Sequence, residues 1–187
     1  MNKEIIEKCF YTIMKEGLGL DMNNPSLKDT PRRVAKMYVN EIFEGLDKNN
    51  EPKITAFPND CDYDQIIALK NMSIYSTCEH HFISFSMKIS IGYIPDKKII
   101  GISKLARIAK YFARRPQVQE RLSKNIVDFI EEKLQPKGII VFIDKGEHLC
   151  MKMRGIENPT SEMITSEVRG LFREKQELEE KFLRMIK

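Results

Sequence analysis

Ile83-Ser84-Phe85-Ser86-Met87-Lys88-Ile89-Ser90-Ile91-Gly92-Tyr93 alternates apolar with small or polar residues from end to end. Side chains on a strand point to opposite faces in turn, so this period of two predicts a long strand with one face in the core. Upstream, Ile66 to Tyr75 carries a second strand signal, and Ser76-Thr77-Cys78-Glu79-His80-His81 joins the two. Downstream, Pro95-Asp96-Lys97-Lys98 turns the chain, and Ile99 to Gly101 is expected to pair back. Ser103 reads as the N-cap of a helix carrying Leu105, Ile108, Ala109 and Phe112. Pro116 opens a further helix, with Val118, Leu122, Ile126, Phe129, Ile130 and Leu134 facing inward and Pro136-Lys137-Gly138 as its stop. Ile139 to Ile143 and His148 to Met153 then read as a hairpin around Lys145-Gly146. A polar stretch follows, and a charged helix runs from about Glu174 to Ile186.

Before the sheet, Ile5, Ile6, Cys9, Phe10, Ile13 and Met14 recur at helical spacing until Gly17 and Gly19. Thr30-Pro31 marks a second helix, with Thr30 as its N-cap and Pro31 in the first helical position, striped by Val34, Ala35, Met37, Tyr38 and Ile42 and closed by Gly45. Residues 46 to 64, with Pro52 and Pro58, read as a long connection, which divides the chain into a helical extension (1–62) and a sheet-bearing domain (63–187). The order of elements is α+β with an antiparallel sheet.

An apolar share of 42% in 187 residues suffices for one ordinary core and argues against disorder. The 31 Lys and Arg exceed the 27 Asp and Glu by four, which favours anionic ligands locally without requiring nucleic acid. No apolar run has the length of a signal sequence or a membrane span, so the expectation is a cytoplasmic protein with no membrane partner and its four cysteines reduced.

Cys78-x-x-His81 has the spacing of half a zinc site. The only histidine outside this turn, His148, lies two residues before Cys150. On a strand, His148, Cys150, Lys152 and Arg154 would share one face. Cys78, His81 and Cys150 make three ligands, one short of a closed structural site, which is the pattern of catalytic zinc. His80 and His148 remain for proton transfer. The competing reading is that free cysteines are small buried hydrophobes; Cys9, on an apolar helix face, and Cys61, in a polar loop, are read as structural or incidental.

Arg33 and Lys36, with Arg32, crowd a helix start where cations oppose the dipole, so they are either a solvated face or an anion site. Lys104 and Arg107 follow Ser103 on a helix whose free N–H groups suit phosphate; each cation alone reads as a surface residue, but together with Arg154 they suit a phosphate-rich ligand such as a nucleotide. Glu120, next to Gln119, is either a carboxylate that accepts from guanine's N1–H and 2-amino group or one that complements its own helix dipole.

Cys78-Glu79-His80-His81, Gly101-Ile102-Ser103-Lys104-Leu105-Ala106-Arg107, Arg115-Pro116-Gln117-Val118-Gln119-Glu120-Arg121-Leu122 and His148-x-Cys150 before Arg154-Gly155 together resemble GTP cyclohydrolase I. The resemblance runs from about Leu27 to the C-terminus and includes Thr30-Pro31-x-Arg33-Val34-Ala35-Lys36. It implies hydrolytic opening of the guanine imidazole ring of GTP, loss of C8 as formate and closure to 7,8-dihydroneopterin triphosphate, the entry to folate and pterin synthesis. It implies Zn2+ on Cys78, His81 and Cys150, supplying a nucleophilic water near neutral pH. Catalytic roles carry over to His80, His148, Ser103 and Gln119. Glu120, Lys104, Arg107, Arg154, Arg33 and Lys36 become substrate contacts. The fold implied is a tunnelling fold whose sheets close into a barrel on oligomerisation, as a homodecamer of two pentamers with sites between subunits. Ile156 to Gly170 departs from the family, with Pro159, Glu162, Met163 and Glu167 where Thr, Ser and Ala prevail.

Two alternatives compete. A pterin or deazapurine enzyme of the same fold would lack this combination of two cysteines, paired histidines and Gln-Glu. A structural zinc domain that binds nucleic acid would need a fourth protein ligand, and none is apparent.

Overall fold

The computed structural model describes residues 1–187. The alternating stretch becomes β3 (Ser84–Ile94), the centre of a five-stranded sheet. On one side of it lie β2 (Ile67–Cys78) and the short β5 (Pro116–Gln117); on the other, β6 (Gly138–His148) and β7 (Met163–Gly170). All pairs are antiparallel except β2 with β5, whose parallel register sets Cys78 beside Gln117. Phe85, Met87, Ile89, Ile91 and Tyr93 are buried as the alternation requires, and the Tyr93 hydroxyl accepts from Ile100 N–H at 3.1 Å, which satisfies it.

That face is covered by α3 (Ile102–Ala113) and α4 (Gln119–Leu134), whose Leu105, Ile108, Ala109, Leu122, Ile126 and Ile130 share one core with it. Gln135 in the left-handed region and Pro136 stop α4. The other face is covered at one end by α6 (Leu171–Glu174) and α7 (Gln176–Ile186). There Phe172, Phe182 and Ile186 pack on Ile94 and Ile140. Gly92 is required at this contact, since a Cβ would stand 2.6 Å from the Phe182 ring.

The N-terminal helices, α1 (Lys3–Thr12) and α2 (Thr30–Met37), pack on each other, each extended by one wider turn through Gly17 and Ile42. Behind them Gly45 lies so close to the end of α3 that a Cβ would meet Tyr111 O at 2.1 Å. Arg115 donates to Gly45 O and Arg114 pairs with Glu44, which fastens this segment to the sheet domain. No helix is long and apolar enough to cross a membrane.

Several local expectations are corrected. Gly101, not Ser103, is the N-cap of α3, and Ser103 is an exposed residue of its first turn. Asp29 precedes α2 as its cap, one residue before Thr30. The segment Lys98–Ile100 forms β4, which pairs with β1 (Ala56–Pro58) inside the 46–64 connection and not with the strand before it. Pro116 belongs to β5, and the helix begins at Gln119.

Lys145-Gly146 is a bulge within one continuous β6 and not a hairpin turn. Lys145 takes φ 48°, and the segments before and after it both pair with β3 and β7 and not with each other, which is a bulge and not a turn. After His148 the chain has no strand partner left, because β3 begins only at Ser84, beside the Phe85 that pairs with it, and Leu149–Lys152 coils into the single turn α5. His148, Cys150, Lys152 and Arg154 therefore do not share a strand face. The stretch read as polar connection contains β7.

Truncating Phe182 to Ala should cost about 3–5 kcal/mol of stability, as for other buried aromatics. A loss under about 1 kcal/mol in denaturant unfolding would show that α7 does not rest on Gly92.

Candidate functional site

Cys78 ends β2, and the turn behind it is closed by Phe82 N–H on Cys78 O at 2.8 Å and Cys78 N–H on Ile83 O at 2.9 Å, with Phe82 at φ 54°. Cys150 arrives from across β3 on α5. The donor atoms of Cys78, His81 and Cys150 all lie within 4.8 Å of one another. Cys78 Sγ is 3.8 Å from His81 Nδ1 and 3.7 Å from His80 Nδ1. Two ligands of one tetrahedral zinc stand about 3.5 Å apart, so the pair needs little adjustment. Two thiols and one imidazole are a soft to borderline donor set that suits zinc over calcium or magnesium.

Burial and the neighbouring Cys78 thiol push the Cys150 thiol above its ordinary range, with Arg154 opposing. A metal reverses this, because it binds the thiolate and releases the proton. Arg154 also stands on His81, with Nη1 3.0 Å from Nε2.

His148, the last residue of β6, stacks on Phe85 with ring centroids 4.2 Å apart at 13°. Its Nε2 is 3.1 Å from Gln119 Oε1. Burial holds its pKa below the ordinary histidine value, and the Glu120 carboxylate nearby acts in the opposite direction. Gln119 is fully buried at the start of α4, whereas Glu120 is exposed in the single chain. A single chain therefore leaves the Glu120 carboxylate in solvent.

An ion pair between Glu79 and Arg121 ties the Cys78 turn to α4. Arg121 Nε also donates to Gln117 Oε1 at 2.8 Å, and Glu79 N–H to Gln117 O at 3.2 Å. Neither Glu79 nor Arg121 stood out in the sequence. The i, i+4 spacing of Gln117 and Arg121 was the available signal. The contact of Gln119 with β7 was also missed, because Met163 to Arg169 shows no apolar alternation that would mark a strand.

The structure brings together Cys78, His80, His81, His148, Cys150, Arg154 and Gln119, with Glu120 alongside. It does not bring the rest. Lys104 and Arg107 line a separate pocket of about 420 Å³ with Glu44, Lys53, Lys110 and Tyr111. Arg33 donates to Ser26 O and Thr30 Oγ1 on the N-terminal arm, and Lys36 is exposed on the same helix. Ser103 makes no side-chain hydrogen bond to this cluster.

The description of the family GTP cyclohydrolase I matches residues 6–187. GTP cyclohydrolase 1 of Buchnera aphidicola subsp. Schizaphis graminum is 46% identical over 178 residues, covering 95% of this chain and 81% of its own. GTP cyclohydrolase 1 of Wigglesworthia glossinidia brevipalpis is 45% identical over 185 residues, covering 98% and 85%. Among solved structures, the apo form of the archaeosine synthase QueF-Like covers 57% of this chain at a TM-score of 0.48 and 16% identity, too distant to bear on function.

If Cys78, His81 and Cys150 hold a divalent metal, Cys150→Ser should lose most of it. Full occupancy in that variant, by elemental analysis of the purified protein, would remove Cys150 from the ligand set.

Proposed function

The chain belongs to the GTP cyclohydrolase I family, and from this we propose that it hydrolyses GTP to 7,8-dihydroneopterin triphosphate and formate, a first step of folate synthesis, with zinc on Cys78, His81 and Cys150. The observation that carries the proposal is the convergence of these three donors within 4.8 Å beside the half-buried His148 and the buried Gln119 that meets it. When bound, zinc supplies a water acidic enough to be nucleophilic near neutral pH.

The chain's own residues do the rest. His148, held by stacking and by Gln119, moves a proton at the reacting purine ring, and His80, beside the Cys78 thiol, is the second proton-transfer group. Glu120 accepts from the guanine Watson–Crick edge. Ser103, Lys104, Arg107 and Arg154 hold ribose and triphosphate, joined by Arg33 and Lys36.

In a single chain Lys104 and Arg107 face a different pocket from His148, and Arg33 lies on the helical arm. This separation supports a site completed between subunits, as does the unpaired outer edge of β7 with Ile164 exposed. The corresponding assembly is a barrel closed by homo-oligomerisation, a decamer of two pentamers in the cytoplasm, with residues 1–62 as a helical arm around the catalytic body 63–187.

The zinc-loaded protein incubated with GTP should release one formate per fluorescent pterin product. GTP left intact would end this reading. In the same assay, Arg33→Ala and His148→Ser chains, each reduced to residual turnover, should regain activity when their subunits exchange. No recovery after demonstrated exchange would count against a shared site.

A further inference from the structure

Gln119 is the one fully buried side-chain amide at the start of α4, and all of its visible partners lie on β6 and β7. Its Nε2 is 3.2 Å from Met163 O and 3.2 Å from Thr165 Oγ1, and its Oε1 is 3.1 Å from His148 Nε2. A main-chain carbonyl can only accept, so the amide group that meets Met163 O must be the NH2. The amide oxygen then faces His148, and only a protonated Nε2 can donate to it. The neutral ring therefore keeps its proton on Nε2 and its lone pair on Nδ1.

The amide can lie there because residue 146 is glycine. A Cβ at Gly146 would stand 2.2 Å from Gln119 Oε1 and 2.7 Å from Met163 O. Gly146 is also the register partner of Met163 across the bulge between β6 and β7. The His148 ring, stacked on Phe85, is held in the same place from its other side.

We propose that Thr165 and Gly146 are positioning residues that lock the Gln119 amide and, through it, decide which nitrogen of His148 bears the proton. The role lies on β7, in the segment whose composition departs most from the family, and it rests on the reading of His148 as a proton-transfer residue. A His148 ring with the opposite tautomer would carry its proton on Nδ1 and leave Nε2 unable to donate to the amide oxygen. The isosteric Thr165→Val removes one acceptor from the amide, which then rotates more freely.

The test uses the zinc-loaded full-length oligomer and steady-state turnover of GTP. Thr165→Val should lower kcat about three- to tenfold, the scale of one hydrogen bond, with KM within about twofold and zinc content unchanged. Thr165→Ser, which keeps the hydroxyl, should restore kcat. Gly146→Ala should lower kcat further, by displacing the amide. In a His148→Ser background Thr165→Val should add no further loss. The proposal is overturned if Thr165→Val leaves kcat at the parent value, if Thr165→Ser fails to rescue, or if the Thr165→Val loss persists undiminished without His148. A His148→Ser chain as fast as the parent would instead remove the proton-transfer role itself, and the proposal with it, so the two failures are read from different variants.

Discussion

The rung that pairs Phe85 with His148, the last of the β3–β6 ladder, is the constraint on which the site depends. β3 begins just after the Cys78–His81 turn and β6 ends just before Cys150. Pairing these two strand ends in antiparallel register therefore delivers both thiols and both histidine segments to one corner. A one-residue slip would turn Phe85, Ile89 and Ile91 out of the core and carry His148 to the opposite face, so the burial that stabilises the sheet also fixes the site.

The same corner carries buried polar groups that must be paired to be tolerated. Gln119 and Gln117 are buried almost completely, and an unpaired amide there would cost about 1–3 kcal/mol. Gln119 is satisfied by β6 and β7, and Gln117 by Asn125, Arg121 and Phe112 O. The start of α4 is thereby tied to three strands at once. Cys150 runs the other way. Burial holds its proton on, so metal binding must release it, and metal occupancy and local order are coupled.

Much of this was legible from residue pattern. The period-two run at Ile83–Tyr93, the helical stripes at 105–112 and 122–134, and the Cys-x-x-His half-site each carry a local signal that tertiary contacts reinforce. What was not legible depended on where a ladder stops. Whether Lys145-Gly146 turns or bulges is set by the neighbours β3 and β7, and whether His148–Met153 extends or coils is set by where β3 begins. Glu79 with Arg121, and Gln119 with Thr165, are joined across 42 and 46 residues, a separation that no local pattern reveals.

The central claim is an open site of three protein ligands, with His80 and His148 left free for chemistry. X-ray absorption at the zinc edge of the metal-loaded protein tests it most directly. The account predicts two sulfurs at about 2.3 Å, one imidazole nitrogen at about 2.0 Å and one non-protein oxygen. A second imidazole in place of that oxygen would close the tetrahedron with His80 or His148 and contradict it.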